Sequence, residues 1–169
     1  WWDSERNYVM RNKKVQFITQ GAVIAAIYVV LVLIFDTFSF GPIQFRIAEM
    51  LTIMPYFTPA AIPGLFVGCL IANIIGGGLI WDIVFGSIAT LIGAIGSYLV
   101  RKNKWLVPLP PIIANIVIVP FVLKYAYGYD GLLVYFMFTV GLSEIIVCGI
   151  IGMALLTVMA KNREHIFKD

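Results

Sequence analysis

The chain has 169 residues, 61% of them hydrophobic and 12% charged, with 12 basic and 9 acidic side chains and a formal net charge of +3. Soluble domains carry about 25% charged residues, so this chain lacks the charge to coat a water-soluble globule and lipid is its expected solvent. So small a basic surplus does not argue for nucleic acid, and no phosphate-binding loop or nucleophile–base pair points to an enzyme.

A bilayer core of about 30 Å takes about 20 apolar residues per helix, which leaves room for about six spans and little else. Residues 1–9 precede Met10-Arg11-Asn12-Lys13-Lys14, which reads as a natural start, and are set aside as an extraneous leader or disordered N-terminus. Residues 10–169 are expected to form one all-α membrane domain of six transmembrane helices. The first span covers 15–35 and ends in the turn formers Asp36 to Pro42. A short second segment, 43–56, stops at Thr58-Pro59, and a third, 60–75, stops at Gly76-Gly77-Gly78. The fourth covers 82–100, ahead of Arg101-Lys102-Asn103-Lys104. The fifth covers 105–123, with Pro108, Pro110 and Pro111 at its entry and Pro120 near its exit. The apolar stretch 132–160 would exceed about 40 Å as one helix. Gly141 is its expected break, with 132–140 near the surface and 141–160 as the sixth span.

Basic residues cluster in three places: Arg11, Lys13 and Lys14; Arg101, Lys102 and Lys104; and Lys161, Arg163 and Lys168. With six spans all three fall on one side, which the positive-inside rule makes the cytoplasm, so both termini are expected inside a bacterial plasma membrane. Cys69 and Cys148 lie in apolar runs and read as small hydrophobes. His165 stands alone, so neither a metal site nor a cofactor is expected.

Ionisable groups at membrane depth are costly and mark function. Here they gather at the outer ends of the spans: Asp36, Arg46, Glu49, Asn73, Asp82, Lys124, Asp130 and Glu144, with Asn115 near the middle of the fifth. A polar cluster in one half of a bundle makes a pocket open to the outside, and Trp81, Tyr125, Tyr127, Phe38 and Phe45 supply rings to stack on a flat ligand. The alternatives are plain. Arg46 and Glu49, three apart, face the same way on a helix and can neutralise each other. Asp82 can be a helix N-cap, and Asn73 and Asn115 can be interhelical hydrogen-bond groups. Glu144 has no basic residue within a turn. On the first span, Gly21 and Ala25, and Ala22 and Ala26, stand four apart, a spacing that lets another helix approach.

Six short spans, inside termini, the small-residue stripe and an outward pocket resemble the substrate-binding S components of energy-coupling-factor (ECF) vitamin transporters. More narrowly, Gln44-Phe45-Arg46-Ile47-Ala48-Glu49-Met50-Leu51-Thr52-Ile53-Met54-Pro55, Pro63-Gly64-Leu65, Gly68-Cys69-Leu70-Ile71-Ala72-Asn73, Asp82-Ile83-Val84-Phe85-Gly86-Ser87-Ile88-Ala89-Thr90-Leu91 and Gly141-Leu142-Ser143-Glu144 are similar to the queuosine-precursor transporter family. The resemblance implies an S component that captures a 7-deazaguanine (7-aminomethyl-7-deazaguanine or queuine) outside the cell. It implies docking on a transmembrane coupling protein served by two ATPase subunits, which meets Ala22 and Ala26. On that reading Glu49 and Glu144, with Asp82 in reserve, accept the guanine N–H edge and the aminomethyl cation. Arg46 or Asn115 meets the O6 acceptor, Asn73 lies close by, and Trp81 or Tyr125 stacks on the ring. The alternatives are an S component for thiamine, pyridoxine or a pterin, and a membrane assembly protein with no small ligand.

Overall fold

The computed structural model describes residues 2–35 and 45–166, with side chains from residue 12 onward. Asp36 and Phe38, and the side chains of the leader 1–9, lie outside the described residues. Helix α1 runs Trp2–Ile34, followed after the 36–44 connection by a 3-10 helix, Ile47–Tyr56. Then come α2 (Ala61–Ile75), α3 (Ile80–Leu99) and α4 (Leu109–Phe121, carried on by a π turn to Ala126). The last long element, α5, is helical from Leu133 to Lys161, with π geometry over Ile145–Ile151. A single turn, Arg163–Ile166, follows it.

Among the described residues, four helices are long and apolar enough to cross a bilayer: Asn12–Ile34, Ile80–Leu99, Leu109–Ala126 and Leu133–Lys161. The expected second and third spans are shorter. Fifteen α-helical residues of α2 rise about 22 Å and ten 3-10 residues about 20 Å, each less than the apolar thickness. The 3-10 element is buried along most of its length, and irregular backbone at membrane depth is tolerated where protein covers it. The expected break at Gly141 is absent, and 133–161 is one unbroken helix. Gly141 instead makes room, since a Cβ there would meet Ile116 Cδ1 at 3.0 Å. Length beyond the bilayer core is absorbed by tilt and by the headgroup layer. The fifth helix starts at Leu109 rather than at Trp105, because Pro108, Pro110 and Pro111 hold the preceding residues in turns and fit the first helical turn, where an N–H is not needed.

Helices α1 and α2 run parallel and nearly touch backbone to backbone. A Cβ on Gly64 would lie 2.6 Å from Gly21 O, and one on Gly68 would lie 3.0 Å from Ala25 Cα. The glycine turn 76–78, with Gly77 at φ +73°, reverses the chain into α3. Helices α3 and α4 are antiparallel; Cβ atoms at Gly93 and Gly96 would collide with Pro111 and Pro110. The 3-10 helix occupies the middle, against α1, α3 and α5. This alternation brings the early part of α1, the turn after α3 and the end of α5 to one end of the bundle, where Gln16, Gln20, Thr58 and Arg163 line a recess. The outer surface is apolar, with residues such as Ile34, Ile80, Ile113 and Phe138 more than half exposed, as lipid contact requires.

The α1–α2 contact is testable. Gly64→Ala should lower the Tm in detergent, at a cost of about 1–3 kcal/mol for overpacking. Gly149→Ala, whose Cβ would meet nothing closer than Ile145 Cγ2 at 3.9 Å, should leave it within a degree or two. Equal Tm values for the two variants would show that the contact is not tight.

Candidate functional site

A 3-10 helix has three residues per turn, so side chains at i and i+3 eclipse. Arg46, Glu49 and Thr52 therefore stack on one edge of Ile47–Tyr56 instead of spiralling away as they would on an α-helix. All three are buried, Glu49 and Thr52 completely.

Glu49 is the centre. Its Oε1 accepts from Tyr28 Oη on α1 at 2.5 Å and from Thr90 Oγ1 on α3 at 3.2 Å. Its backbone carbonyl accepts from Thr52 Oγ1 at 2.6 Å and from Cys148 Sγ on α5 at 3.3 Å. Three helices thus converge on one residue.

Arg46 reaches the other way. Its Nη2 donates to Asn73 Oδ1 at 3.1 Å and pairs with Asp82 Oδ1 at 3.4 Å. Asn73 Nδ2 donates to the Asp82 carbonyl at 3.4 Å. Tyr127 Oη donates to Asp82 Oδ2 at 2.9 Å. Tyr127 lies beyond the end of the span, and burial together with the Asp82 carboxylate pushes its phenol up to about 12, so it stays a donor near neutral pH. Gly86 leaves space for this knot: a Cβ there would stand 3.3 Å from Arg46 Nη1, Asn73 Nδ2 and Asp82 Oδ1 alike. Asp82 is therefore an ion-pair partner in the third position of α3 rather than an N-cap, since the cap residue is Leu79 and makes no side-chain bond. Arg46 pairs with Asp82, not with Glu49.

Glu144, buried on α5, accepts from Cys148 Sγ at 3.1 Å through Oε2 and stands beside Glu49 and Asn115. Asn115 is 2% exposed, yet beyond a loose polar contact with the Glu144 carboxyl neither of its amide atoms closes a hydrogen bond of ordinary geometry among the described residues. Glu49 Oε2 and Ser87 Oγ likewise close none. Buried polar atoms are nearly always satisfied, so a group of orphans beside two carboxylates marks a place built for something else. Among the described residues three carboxyl groups (Glu49, Asp82, Glu144) are buried here with one guanidinium (Arg46), a surplus of acceptors that suits a donor-rich or cationic ligand. Among the described residues no His, Cys, Asp and Glu group is arranged to hold a metal ion.

Of the residues expected at a site, Arg46, Glu49, Asn73, Asp82, Asn115 and Glu144 thus come together. Trp81 and Tyr125 do not join them; they are 57% and 71% exposed and line an apolar groove of about 600 Å³ between α3 and α4. Trp81 stacks there on Phe85 and Tyr125 on Phe121, with centroids 6.0 and 6.2 Å apart. The small-residue stripe splits: Gly21 and Ala25 pack inward on α2, whereas Ala22 and Ala26 face out. Sequence reasoning missed Tyr28, Thr90 and Cys148 as members of the cluster. Asp82, Gly86 and Thr90 stand four apart, as do Glu144 and Cys148, and that helical stripe was the available signal.

A profile described as the QueT transporter matches residues 18–161. A curated relative, the queuosine precursor transporter QueT of Lactococcus lactis subsp. cremoris (strain MG1363), is 35% identical over 86 residues. That stretch covers 49% of this chain and 50% of the relative, so the chain spans about half the length of the protein it matches. No solved structure matches the chain.

The ion pair carries a clear expectation. Asp82→Ala removes the carboxylate paired with a buried guanidinium and should cost about 3–5 kcal/mol, whereas Tyr127→Phe removes one hydrogen bond and should cost about 1 kcal/mol. Thermal unfolding in detergent distinguishes them, and similar losses would mean that Arg46 is held by something other than Asp82.

Proposed function

The chain belongs to the QueT transporter family, and from that premise we propose that it is the substrate-binding S component of an ATP-driven ECF importer for a queuosine precursor. The ligand is 7-aminomethyl-7-deazaguanine or queuine, held at the Glu49–Asn115–Glu144 cluster. The observation that carries this reading is the buried excess of carboxylate over guanidinium beside unsatisfied amide and carboxylate atoms. A 7-deazaguanine with a protonated amine supplies what is missing: N–H donors for carboxylate oxygens, a carbonyl acceptor, and a cation. The name of the lactococcal relative supports the same substrate.

The same reading extends to the rest of the transport cycle. The basic end of the bundle faces the cytoplasm, both termini lie inside, and the 3-10 segment and α2 complete a six-segment membrane bundle with the four long helices. No segment of the chain resembles a nucleotide-binding loop, and ATP is hydrolysed by two partner ATPases through a transmembrane coupling protein. The outward pair Ala22 and Ala26 offers that protein a shallow apolar contact, next to a groove of about 290 Å³ bordered by Ile18, Pro63 and Val67. The knot of Arg46, Asn73, Asp82 and Tyr127 lies on the outer side of the cluster and stiffens its entrance, and the aromatic groove of Trp81 and Tyr125 faces lipid.

Calorimetry on the purified protein in detergent tests the substrate. 7-Aminomethyl-7-deazaguanine and queuine should bind and raise the Tm, while thiamine, pyridoxine and folate should not. Binding only to the folded state stabilises by about 4 kcal/mol at a thousandfold excess over Kd, so a true ligand stands out. Glu144→Gln should keep the wild-type fold and weaken binding at least tenfold; unchanged affinity would remove Glu144 from the site.

A further inference from the structure

The buried cluster contains two kinds of polar group. One set is satisfied by protein: the Asp82 carboxylate takes Arg46 and Tyr127, Asn73 is engaged at both amide atoms, and Glu49 Oε1 takes two hydroxyls. The other set closes no hydrogen bond of ordinary length and angle among the described residues: Glu49 Oε2, Asn115 Oδ1 and Asn115 Nδ2, the Asn115 amide having only a looser polar contact with the Glu144 carboxyl. Glu144 stands beside both Glu49 and Asn115, so these atoms belong to one neighbourhood.

Resting on the deazaguanine reading above, we infer that Asn115 and Glu49 Oε2 read a 2-aminolactam edge of the ligand, and that Glu144 faces its cationic substituent. A carboxamide presents a donor and an acceptor side by side, which is the complement of a ring lactam with its N–H and C=O adjacent. An exocyclic amine next to that N–H needs one more acceptor, and Glu49 has one oxygen left. Glu144 differs from Glu49 in two ways. It takes a thiol donor from Cys148, a weak one, and no guanidinium is within hydrogen-bond reach of it in the way Arg46 is of Asp82. A carboxyl group so weakly served is matched by an ammonium rather than by a neutral ring edge.

This division makes Asn115 the residue that sets ring specificity. A ligand lacking the exocyclic amine leaves Glu49 Oε2 unpaired, and a site built to hydrogen-bond a group rejects the analogue that lacks it far more strongly than a hydrophobic pocket rejects a missing methylene. It also means that the empty site is held at some expense of stability, because buried orphans are unfavourable until the ligand arrives.

The test uses Asn115→Leu and Glu144→Gln in the full-length chain with three probes: 7-aminomethyl-7-deazaguanine, 7-methyl-7-deazaguanine, and the 2-desamino analogue of the first. Leucine is close to asparagine in shape and has no polar atoms, so Asn115→Leu should raise the Tm of the ligand-free protein by a few degrees. The same variant should weaken binding of both deazaguanines at least thirtyfold. Glu144→Gln should weaken the aminomethyl compound at least tenfold and leave the methyl compound within about threefold. The wild type should bind the 2-desamino analogue at least tenfold less tightly than its parent. A lower Tm for Asn115→Leu would show that the carboxamide has a protein partner and would overturn the assignment, as would wild-type affinity in that variant or equal losses for both deazaguanines in Glu144→Gln. If the wild type binds none of the three, the substrate reading falls and takes the edge assignment with it. If it binds them and Asn115→Leu binds them equally, only the inference falls.

Discussion

The organisation of this bundle depends on the Glu49 carboxylate, a charge enclosed by protein in a molecule whose other solvent is lipid. An isolated ion in such surroundings costs several kcal/mol even after relaxation, so the fold is obliged to bring donors to it. Tyr28 descends from α1 and Thr90 reaches in from α3, while Cys148 of α5 and Thr52 hold the peptide carbonyl of the same residue. Those donors fix the rotation of each helix about its axis. Once Tyr28 points at Glu49, the Gly21–Ala25 edge of α1 is turned onto α2 and Ala22 and Ala26 are turned out.

The segment that carries Glu49 is a 3-10 helix ten residues long, where runs beyond three or four residues are uncommon. Its poorer backbone hydrogen bonds are accepted because the three-residue repeat aligns Arg46, Glu49 and Thr52 along one edge. An α-helix would have advanced each by about 300° and sent one of them toward the apolar side. Pro55 near the end of the segment and Pro59 just beyond it limit any conversion to regular helix. The irregular backbone and the polar cluster are therefore one feature.

Between helices the hydrophobic effect gives little, because lipid tails are as apolar as leucine. Cohesion comes from close approach at small residues, Gly21 against Gly64, Ala25 against Gly68, and Gly93 and Gly96 against Pro111 and Pro110, and from the buried polar network. The two contributions meet at Gly86, where the missing side chain leaves room for Arg46, Asn73 and Asp82 together. A bundle held in this way can keep a few polar atoms unsatisfied, since its stability rests on contacts elsewhere.

The amino-acid sequence by itself determined the solvent, the all-helical class, the family strings and the polar residues at membrane depth. These are local or additive properties: hydropathy sums along the chain, and a polar or ionisable group in an apolar run is costly wherever it ends up. Arg46, Glu49, Asn73, Asp82, Asn115 and Glu144 could all be read from that cost alone. Only the tertiary structure decided their partners. Arg46 was within a turn of Glu49 in sequence but pairs with Asp82, 36 residues on, while Glu49 draws on Tyr28, Thr90 and Cys148, up to 99 residues away. Trp81 and Tyr125 were sorted to an exposed groove and the helix through Gly141 stayed whole, for the same reason. Which side of a helix faces inward is set by rotation and packing against neighbours, and in a chain apolar on every side periodicity holds little record of that choice.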